Sequence, residues 1–146
     1  GDVDGDGKDE IIVGAGPDPD NPALVRVLKA DGTELTRFTA FDGKYGVTVS
    51  AADLDGDGKA EIVAGLGPDP GRAGATVPSG GKIEARDIKD LLKKTPEAAG
   101  SATTAAAGAT PPEVKVYSGA GELRFTLRPY GDAGYGVKTA TGDLGL

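Results

Sequence analysis

Two short acidic segments carry side chains at a spacing that suits metal chemistry. Each reads Asp-x-Asp-Gly-Asp-Gly-Lys-x-Glu, with carboxylates at loop positions 1, 3, 5 and 9. Four like charges so close together repel one another, and a hard dication with six to eight oxygen ligands removes that repulsion. The predicted ligands are Asp2, Asp4, Asp6, the Lys8 carbonyl and Glu10 in the first loop, and Asp53, Asp55, Asp57, the Lys59 carbonyl and Glu61 in the second.

The same residue types indicate which ion fits. Glycines at loop positions 4 and 6 allow the positive φ of a sharp turn, so that the position 7 carbonyl can face the ion while the lysine side chain points to water. Calcium accepts such a flexible set of oxygen ligands, whereas magnesium prefers a tight octahedron and keeps its waters. The chain has no Cys and no His, which disfavours zinc. The predicted cofactor is therefore calcium.

The closest alternative motif is the EF-hand loop, and it fails at one position. An EF-hand needs a carboxylate at position 12 and an exiting helix. Position 12 here is Val13 or Ala64, and the residues after each loop are apolar and partly β-branched, which favours a strand. The remaining alternative is a pair of polar Gly-Asp turns that bind no ion.

The elements that position these loops are predicted to be short strands. Alternating apolar residues and tight-turn signals recur at intervals typical of an all-β fold. The first copy of the pattern predicts strands over residues 10–14, 24–28, 33–41 and 45–51. Later copies predict strands over residues 61–65, 114–117, 122–127 and 135–140.

A segment without the repeat pattern separates the copies. Residues 83–94 contain Ile88, Leu91 and Leu92 at helical spacing, which predicts a short amphipathic helix. Residues 98–112 are rich in Ala, Thr, Ser, Gly and Pro and favour a linker, which is also compatible with O-glycosylation. The segment is interpreted either as a docking helix on a tether or as a decorated surface loop.

Composition excludes several functional classes. The chain has 146 residues and a net charge of -7, with 16 basic and 23 acidic residues. An acidic chain without a basic cluster is a poor nucleic-acid binder. No apolar run reaches the ~18 residues of a membrane span. Without Cys or His, neither a disulfide framework nor catalysis by a thiol or an imidazole is available.

At this point the motifs resemble a known family. The order Tyr45-Gly46, acidic loop, strand, Gly65-Leu66-Gly67-Pro68 is similar to the FG-GAP repeat, also called the integrin-alpha-like or VCBS-type repeat. The resemblance covers residues 1–70 and 113–144. It implies four-stranded antiparallel β-propeller blades with calcium loops at the positions named above.

The resemblance also divides the chain. FG-GAP-like repeats are expected over residues 1–70, an insertion over residues 71–112, and a further, truncated repeat over residues 113–146. About two to three blades result, fewer than a propeller needs. Gly142-Asp143-Leu144 matches Gly1-Asp2-Val3, so the chain is expected to be one unit of a larger array.

The partners expected from this arrangement are other copies of the repeat. They would lie in the same chain, in a homo-oligomer or in a fibre, and Asp143 would then help to complete a metal site. A protein or carbohydrate ligand is also compatible with a surface module.

Two functions from different classes follow from these observations. The first is a calcium-stabilised extracellular or cell-surface module without catalytic activity, acting in adhesion, scaffolding or surface and fibre assembly. The second is the propeller part of a polysaccharide-degrading, lyase-like enzyme. Its candidate groups are Tyr45, Tyr130, Tyr135, Arg128 and Lys138, although blade packing is an alternative role for Tyr45 and Tyr135.

Overall fold

The computed structural model describes residues 1–67, 113–128 and 138–141, and these are all-β without a helix. The strands are β1 (Ile11–Gly14), β2 (Ala23–Leu28), β3 (Glu34–Phe41), β4 (Val47–Ala52), β5 (Glu61–Leu66), β6 (Val114–Tyr117) and β7 (Leu123–Leu127). They confirm seven of the eight predicted strands to within a few residues. Of the eighth, only residues 138–140 are described, and they are not in a strand. The predicted helix over residues 83–94 and the linker lie outside the described residues.

The strands form two antiparallel sheets. The first sheet has the order β1-β2-β3 and the second has the order β4-β5-β6-β7. Every neighbouring pair is antiparallel and consecutive in the chain. The strand predicted as the fourth of the first repeat is β4, and it belongs to the second sheet. The reason is the acidic loop over residues 53–61, which joins β4 to β5 as a hairpin.

The two sheets repeat each other in detail. The turn between β2 and β3 has Gly32 at φ 86°, and the turn between β6 and β7 has Gly121 at φ 87°. Gly32 donates its backbone N–H to the Lys29 carbonyl, and Gly121 does the same to the Ser118 carbonyl, both at 2.9 Å. Since L-residues with side chains avoid this φ, glycine is required at each turn. Lys29 and Ser118 therefore occupy equivalent positions.

The core lies between the two sheets. Val25 and Val27 of β2 pack with Ile62 and Leu66 of β5, and all four side chains are inaccessible to solvent. Burying a side chain of this kind contributes roughly 1.5–3 kcal/mol. A second, smaller cluster lies on the other face of the second sheet. It comprises Val63, Val114 and Val116, with Leu54, Phe125 and Leu127 against it.

One backbone carbonyl ties the two sheets together. The Ala40 oxygen, near the end of β3, accepts hydrogen bonds from the Tyr117 hydroxyl at 2.6 Å and from the Lys115 amino group at 3.0 Å. The Tyr117 ring also lies 4.6 Å from the Phe38 ring, centroid to centroid. The contact joins β3 of the first sheet to β6 of the second.

Alkaline pH is expected to weaken this contact. Burial, together with the nearby Glu113 carboxylate, raises the pKa of Tyr117 to about 12, whereas an unfolded tyrosine ionises near 10. Its contribution to stability is therefore complete below pH ~10 and is lost as the pH rises through ~12. Urea unfolding at a series of pH values between 8 and 12, roughly, measures this loss. Tyr117→Phe should be about 1 kcal/mol less stable at neutral pH but should show a smaller alkaline loss. An identical alkaline loss in both proteins would contradict the assignment.

Candidate metal centre

The second acidic loop, over residues 53–61, is organised around its first aspartate. Asp53 Oδ1 accepts the backbone N–H of Gly56 at 2.7 Å, and Asp53 Oδ2 accepts that of Gly58 at 2.9 Å. Both glycines have positive φ, 82° and 88°. The turn therefore wraps around one carboxylate, which explains why glycine and aspartate alternate at these positions.

The other two aspartates each cap the residue two positions further on. Asp55 Oδ1 accepts the N–H of Asp57 at 3.1 Å, and Asp57 Oδ1 accepts that of Lys59 at 2.8 Å. These Asx turns hold the side chains in defined positions. The loop is thus partly preorganised for a ligand.

The first acidic loop, over residues 2–10, has the same geometry. Its four equivalent hydrogen bonds are Gly5 N–H to Asp2 Oδ1 at 2.7 Å, Gly7 N–H to Asp2 Oδ2 at 2.9 Å, Asp6 N–H to Asp4 Oδ1 at 3.0 Å and Lys8 N–H to Asp6 Oδ1 at 2.9 Å. Two separate segments with the same pattern therefore adopt one conformation.

Three carboxylates converge in each loop. One oxygen from each of Asp2, Asp4 and Asp6 lies within 4.8 Å of the others, and Asp53, Asp55 and Asp57 form the same arrangement. Calcium binds oxygen at 2.3–2.6 Å, so ligands on opposite sides of the ion lie up to about 5 Å apart. The converging oxygens fit around such an ion, and the donor set consists of hard oxygens only.

Glu10 and Glu61 lie outside these converging groups. They are buried, with 6% and 2% of their surface exposed. Their Oε2 atoms accept the backbone N–H of Val3 and of Leu54, each at 3.0 Å. Their role as ligands therefore stays a prediction, as does that of the Lys8 and Lys59 carbonyls.

The charge of Glu61 is unfavourable in its surroundings. Burial raises the pKa of Glu61, and repulsion from Asp55 and Asp57 raises it further, against the lowering effects of the Leu54 N–H and of Arg124. A buried carboxylate beside two other carboxylates is costly without a nearby cation. A dication in the loop would supply the compensating charge.

A lysine outside the motif contacts the first loop. Lys29 Nζ lies 3.3 Å from Asp4 Oδ2 and 3.4 Å from Asp6 Oδ2. Although desolvation acts to raise the pKa of Asp4, the hydrogen bond from Lys29 and the Asp6 N–H lower it overall. The bond to Asp4, in turn, raises the pKa of Lys29. Sequence reasoning missed Lys29 because nothing in its neighbourhood indicates that it reaches the loop.

If the first loop binds calcium, as we propose below, removing Lys29 is expected to strengthen that binding. Lys29→Ser introduces the residue that stands at the equivalent position, Ser118, and removes a positive charge that competes with the ion. We expect the calcium affinity of the first loop to rise roughly three- to tenfold at low salt. Calcium titration followed by calorimetry measures it, with Lys44→Ser as a control that removes a lysine paired with Asp20 instead. Unchanged affinity would show that Lys29 swings away when the ion binds.

An open cleft gives solvent access to both loops. Its volume is about 530 Å³, and its lining includes Asp4, Asp57, Lys59, Glu61 and Arg124. A small ion can reach the loops from this side without any opening of the core.

The candidate groups for polysaccharide cleavage are only partly described. Arg128 is bound to Glu113, with its Nη2 2.7 Å from Oε1. Tyr45 donates its backbone N–H to the Asp18 carbonyl at 3.1 Å. Lys138 is exposed. Tyr130, Tyr135 and the proposed ligand Asp143 lie outside the described residues.

Comparison with known proteins identifies the repeat. Residues 2–64 match the family model of the FG-GAP-like repeat, which confirms the resemblance over those residues. Over residues 113–144 the resemblance stays a prediction. The match spans the first acidic loop, the first sheet, β4 and the second acidic loop. Neither the curated proteins nor the solved structures give a significant match. Among the described residues, no helix has the length and apolarity needed to cross a membrane.

Proposed function

We propose that this FG-GAP-like repeat chain is a calcium-stabilised, β-propeller-type module and that each of its two acidic loops binds one calcium ion. The observation that supports it best is the identical geometry of the two loops, each of which gathers three aspartate oxygens within 4.8 Å. Asp2, Asp4 and Asp6 would hold one ion, and Asp53, Asp55 and Asp57 the other.

The ion would act through charge compensation. Bound calcium offsets the repulsion among the carboxylates, including the buried Glu61, and links the two ends of the loop. The loop over residues 53–61 joins β4 to β5, so its stability is coupled to the second sheet. The role we assign to calcium is therefore structural.

The proposed biological role is adhesion, scaffolding or surface assembly outside the cell. FG-GAP repeats are typical of extracellular and surface proteins. Calcium outside cells is millimolar, which suits loops of modest affinity. Other copies of the repeat are the proposed partners, with a protein or carbohydrate ligand as a further one.

We propose that the module has no catalytic activity of its own. The Arg128–Glu113 ion pair supports this, because an arginine held by a carboxylate is less available to an acidic polysaccharide. The alternative, a lyase-like activity, predicts unsaturated products from acidic polysaccharides that absorb ultraviolet light. Their formation by the purified chain would replace the non-enzymatic proposal.

Calorimetric titration of the chelator-treated protein tests calcium binding directly. The expected stoichiometry is two calcium ions per chain, with weaker binding of magnesium because the loops supply few fixed octahedral ligands. No heat of binding at millimolar calcium, with the folded state verified by circular dichroism, would refute the proposal.

A further inference from the structure

The first sheet leaves uncovered a surface that the second sheet buries. Ile11 and Val13 on β1 are 52% and 43% exposed, whereas their repeat equivalents on β5, Ile62 and Ala64, are fully buried. Ile62 and Ala64 are buried because they pack against the first sheet. We call the surface around Ile11 and Val13 the open face of the first sheet.

The second sheet has a matching apolar surface on its far side. Its small cluster comprises Val63, Val114 and Val116, with Leu127 packed against them. Their repeat equivalents in the first sheet are Ile12, Val25, Val27 and Phe38, which face the second sheet in the shared core. The outer face of the second sheet therefore resembles the surface that the first sheet uses to pack against its neighbour.

The first sheet also has an open edge. Among the described residues β1 pairs only with β2, whereas the equivalent edge of β5 is covered by β4. Glu10 donates its N–H to the Gly1 carbonyl along this edge at 3.0 Å. Because N–H directions alternate along a strand, those of Ile12 and Gly14 point to the same edge. Such an edge is a template for strand addition.

A segment of the chain corresponds to the strand that covers this edge elsewhere. In the sequence, Tyr135-Gly136-Val137 repeats Tyr45-Gly46-Val47, so residues 138–141 correspond to residues 48–51 of β4. All of β4, including residues 48–51, pairs with β5. Residues 138–141 therefore have the pattern of an edge-covering strand.

The position of this segment supports the same role. The Thr139 hydroxyl lies 3.4 Å from the Ser50 hydroxyl, and the Thr141 hydroxyl donates to the Ala51 carbonyl at 2.7 Å. The segment thus lies beside β4. β4 itself follows the first sheet in the chain and contacts β1. Residues 138–141 therefore lie against the strand whose sequence pattern they repeat.

We propose that two copies of this chain associate head to tail through these surfaces. Residues 138–141 of one copy pair antiparallel with β1 of the next copy, while the outer face of the second sheet covers Ile11 and Val13. The contact repeats the junction between the two sheets within one chain. It is heterologous, so it can propagate from copy to copy. It rests on the proposed partnership between copies of the repeat and specifies its surfaces, but it does not depend on calcium binding.

The repeat also specifies the register. Val49 lies opposite Ala64 in the β4–β5 pair, so Thr139 of one copy lies opposite Val13 of the next. This position is a non-hydrogen-bonded pair, for which the Cα atoms lie about 4.5 Å apart. That separation is within the range for a disulfide.

Crosslinking between singly substituted chains tests the register. The protein has no Cys, so no background disulfide forms. We mix Val13→Cys with Thr139→Cys in calcium buffer under mild oxidation and expect a disulfide-linked heterodimer. The matched control is Val13→Cys with Ala140→Cys, whose side chain points to the opposite face. The first pair should react at least about tenfold faster. Circular dichroism and melting temperatures establish that all three variants are folded.

Sedimentation of the unsubstituted chain provides a second readout. We expect concentration-dependent species at multiples of 14.5 kDa. Equal crosslinking of the two pairs would overturn the register. In sedimentation, a monomer at all concentrations up to hundreds of micromolar would overturn the association itself. In the crosslinking experiment, preferential formation of Val13→Cys homodimers would also overturn it, because such homodimers require a two-fold interface. Since calorimetry reports calcium binding separately, failure here leaves the calcium proposal untouched.

Discussion

Replacing Asp57 by alanine is expected to lower the melting temperature of the calcium-loaded protein by about 10 °C. The variant loses one of the three converging carboxylates of the second loop. A site held at 100 times its dissociation constant contributes about 2.7 kcal/mol to folding by mass action, and this contribution disappears with the site. Differential scanning fluorimetry in millimolar calcium measures the shift.

The lower melting temperature of Asp57→Ala supports a metal site only if the difference from the wild-type protein depends on calcium. In excess chelator the wild-type protein should melt about 20 °C lower, because both sites are emptied, and Asp57→Ala should then differ little from it. The small remaining difference reports the lost hydrogen bond from the Lys59 N–H. A difference of equal size with and without calcium would indicate a purely structural role for Asp57.

The chain offers a matched control for this experiment. Asp9 also lies within an acidic loop, but its side chain is 85% exposed and is not part of the converging group. The second loop has Ala60 at the equivalent position, so alanine is compatible with the fold there. Asp9→Ala removes the same charge as Asp57→Ala and is expected to leave the calcium-dependent stabilisation intact.

The second large effect is expected at Gly46. Its φ is 68°, and a Cβ atom there would overlap the carbonyl oxygens of Ala15 and Gly16. The left-handed conformation alone costs a residue with a side chain roughly 1–2 kcal/mol, and the overlap with rigid backbone adds to it. Gly46→Ala should therefore destabilise the protein by about 4 kcal/mol, at the extreme of single substitutions.

Substitutions at two other glycines separate the cost of the positive φ from the cost of the steric overlap. A Cβ at Gly16 meets nothing within 4 Å and its φ is not positive, so Gly16→Ala should be nearly neutral. Gly58 has a φ of 88° but also has open space, so Gly58→Ala should cost about 1 kcal/mol from backbone strain alone. Urea unfolding ranks the three. If Gly46→Ala resembled Gly58→Ala, close packing of the Tyr45–Gly46 pair on the preceding repeat would not be required.

Much of the local structure was predictable because the information is local. The strands follow from alternating apolar residues, and the turns at Gly32 and Gly121 follow from residues whose φ requirements are short-range. Asp2 and Asp53 organise their loops through hydrogen bonds to residues three and five positions away. The three aspartates of each predicted site therefore converge as the spacing suggested, whereas Glu10 and Glu61 do not join them.

What sequence reasoning missed depends on contacts distant in sequence. Lys29 reaches Asp6 across the first sheet, and Tyr117 reaches Ala40 between the sheets. Periodicity predicts that β4 is a strand, but it does not predict which strand β4 pairs with. The place of β4 in the second sheet therefore did not follow from the sequence pattern. Glu10 and Glu61 were predicted to close the sites, and their burial reflects the packing of the strands rather than the loop motif.

The length of the connection between β5 and β6 has a consequence for which insertions and deletions this protein tolerates. The equivalent connection in the first sheet joins β1 to β2 through residues 15–22, whereas β5 and β6 are joined through residues 67–113. Because closure entropy grows only with the logarithm of connection length, a sheet of this kind is expected to tolerate either length. The strand register on either side is kept. The connection between β5 and β6 is therefore a natural site for grafting foreign segments or for shortening the chain to the length of residues 15–22, without disturbing the acidic loops at the opposite ends of the strands.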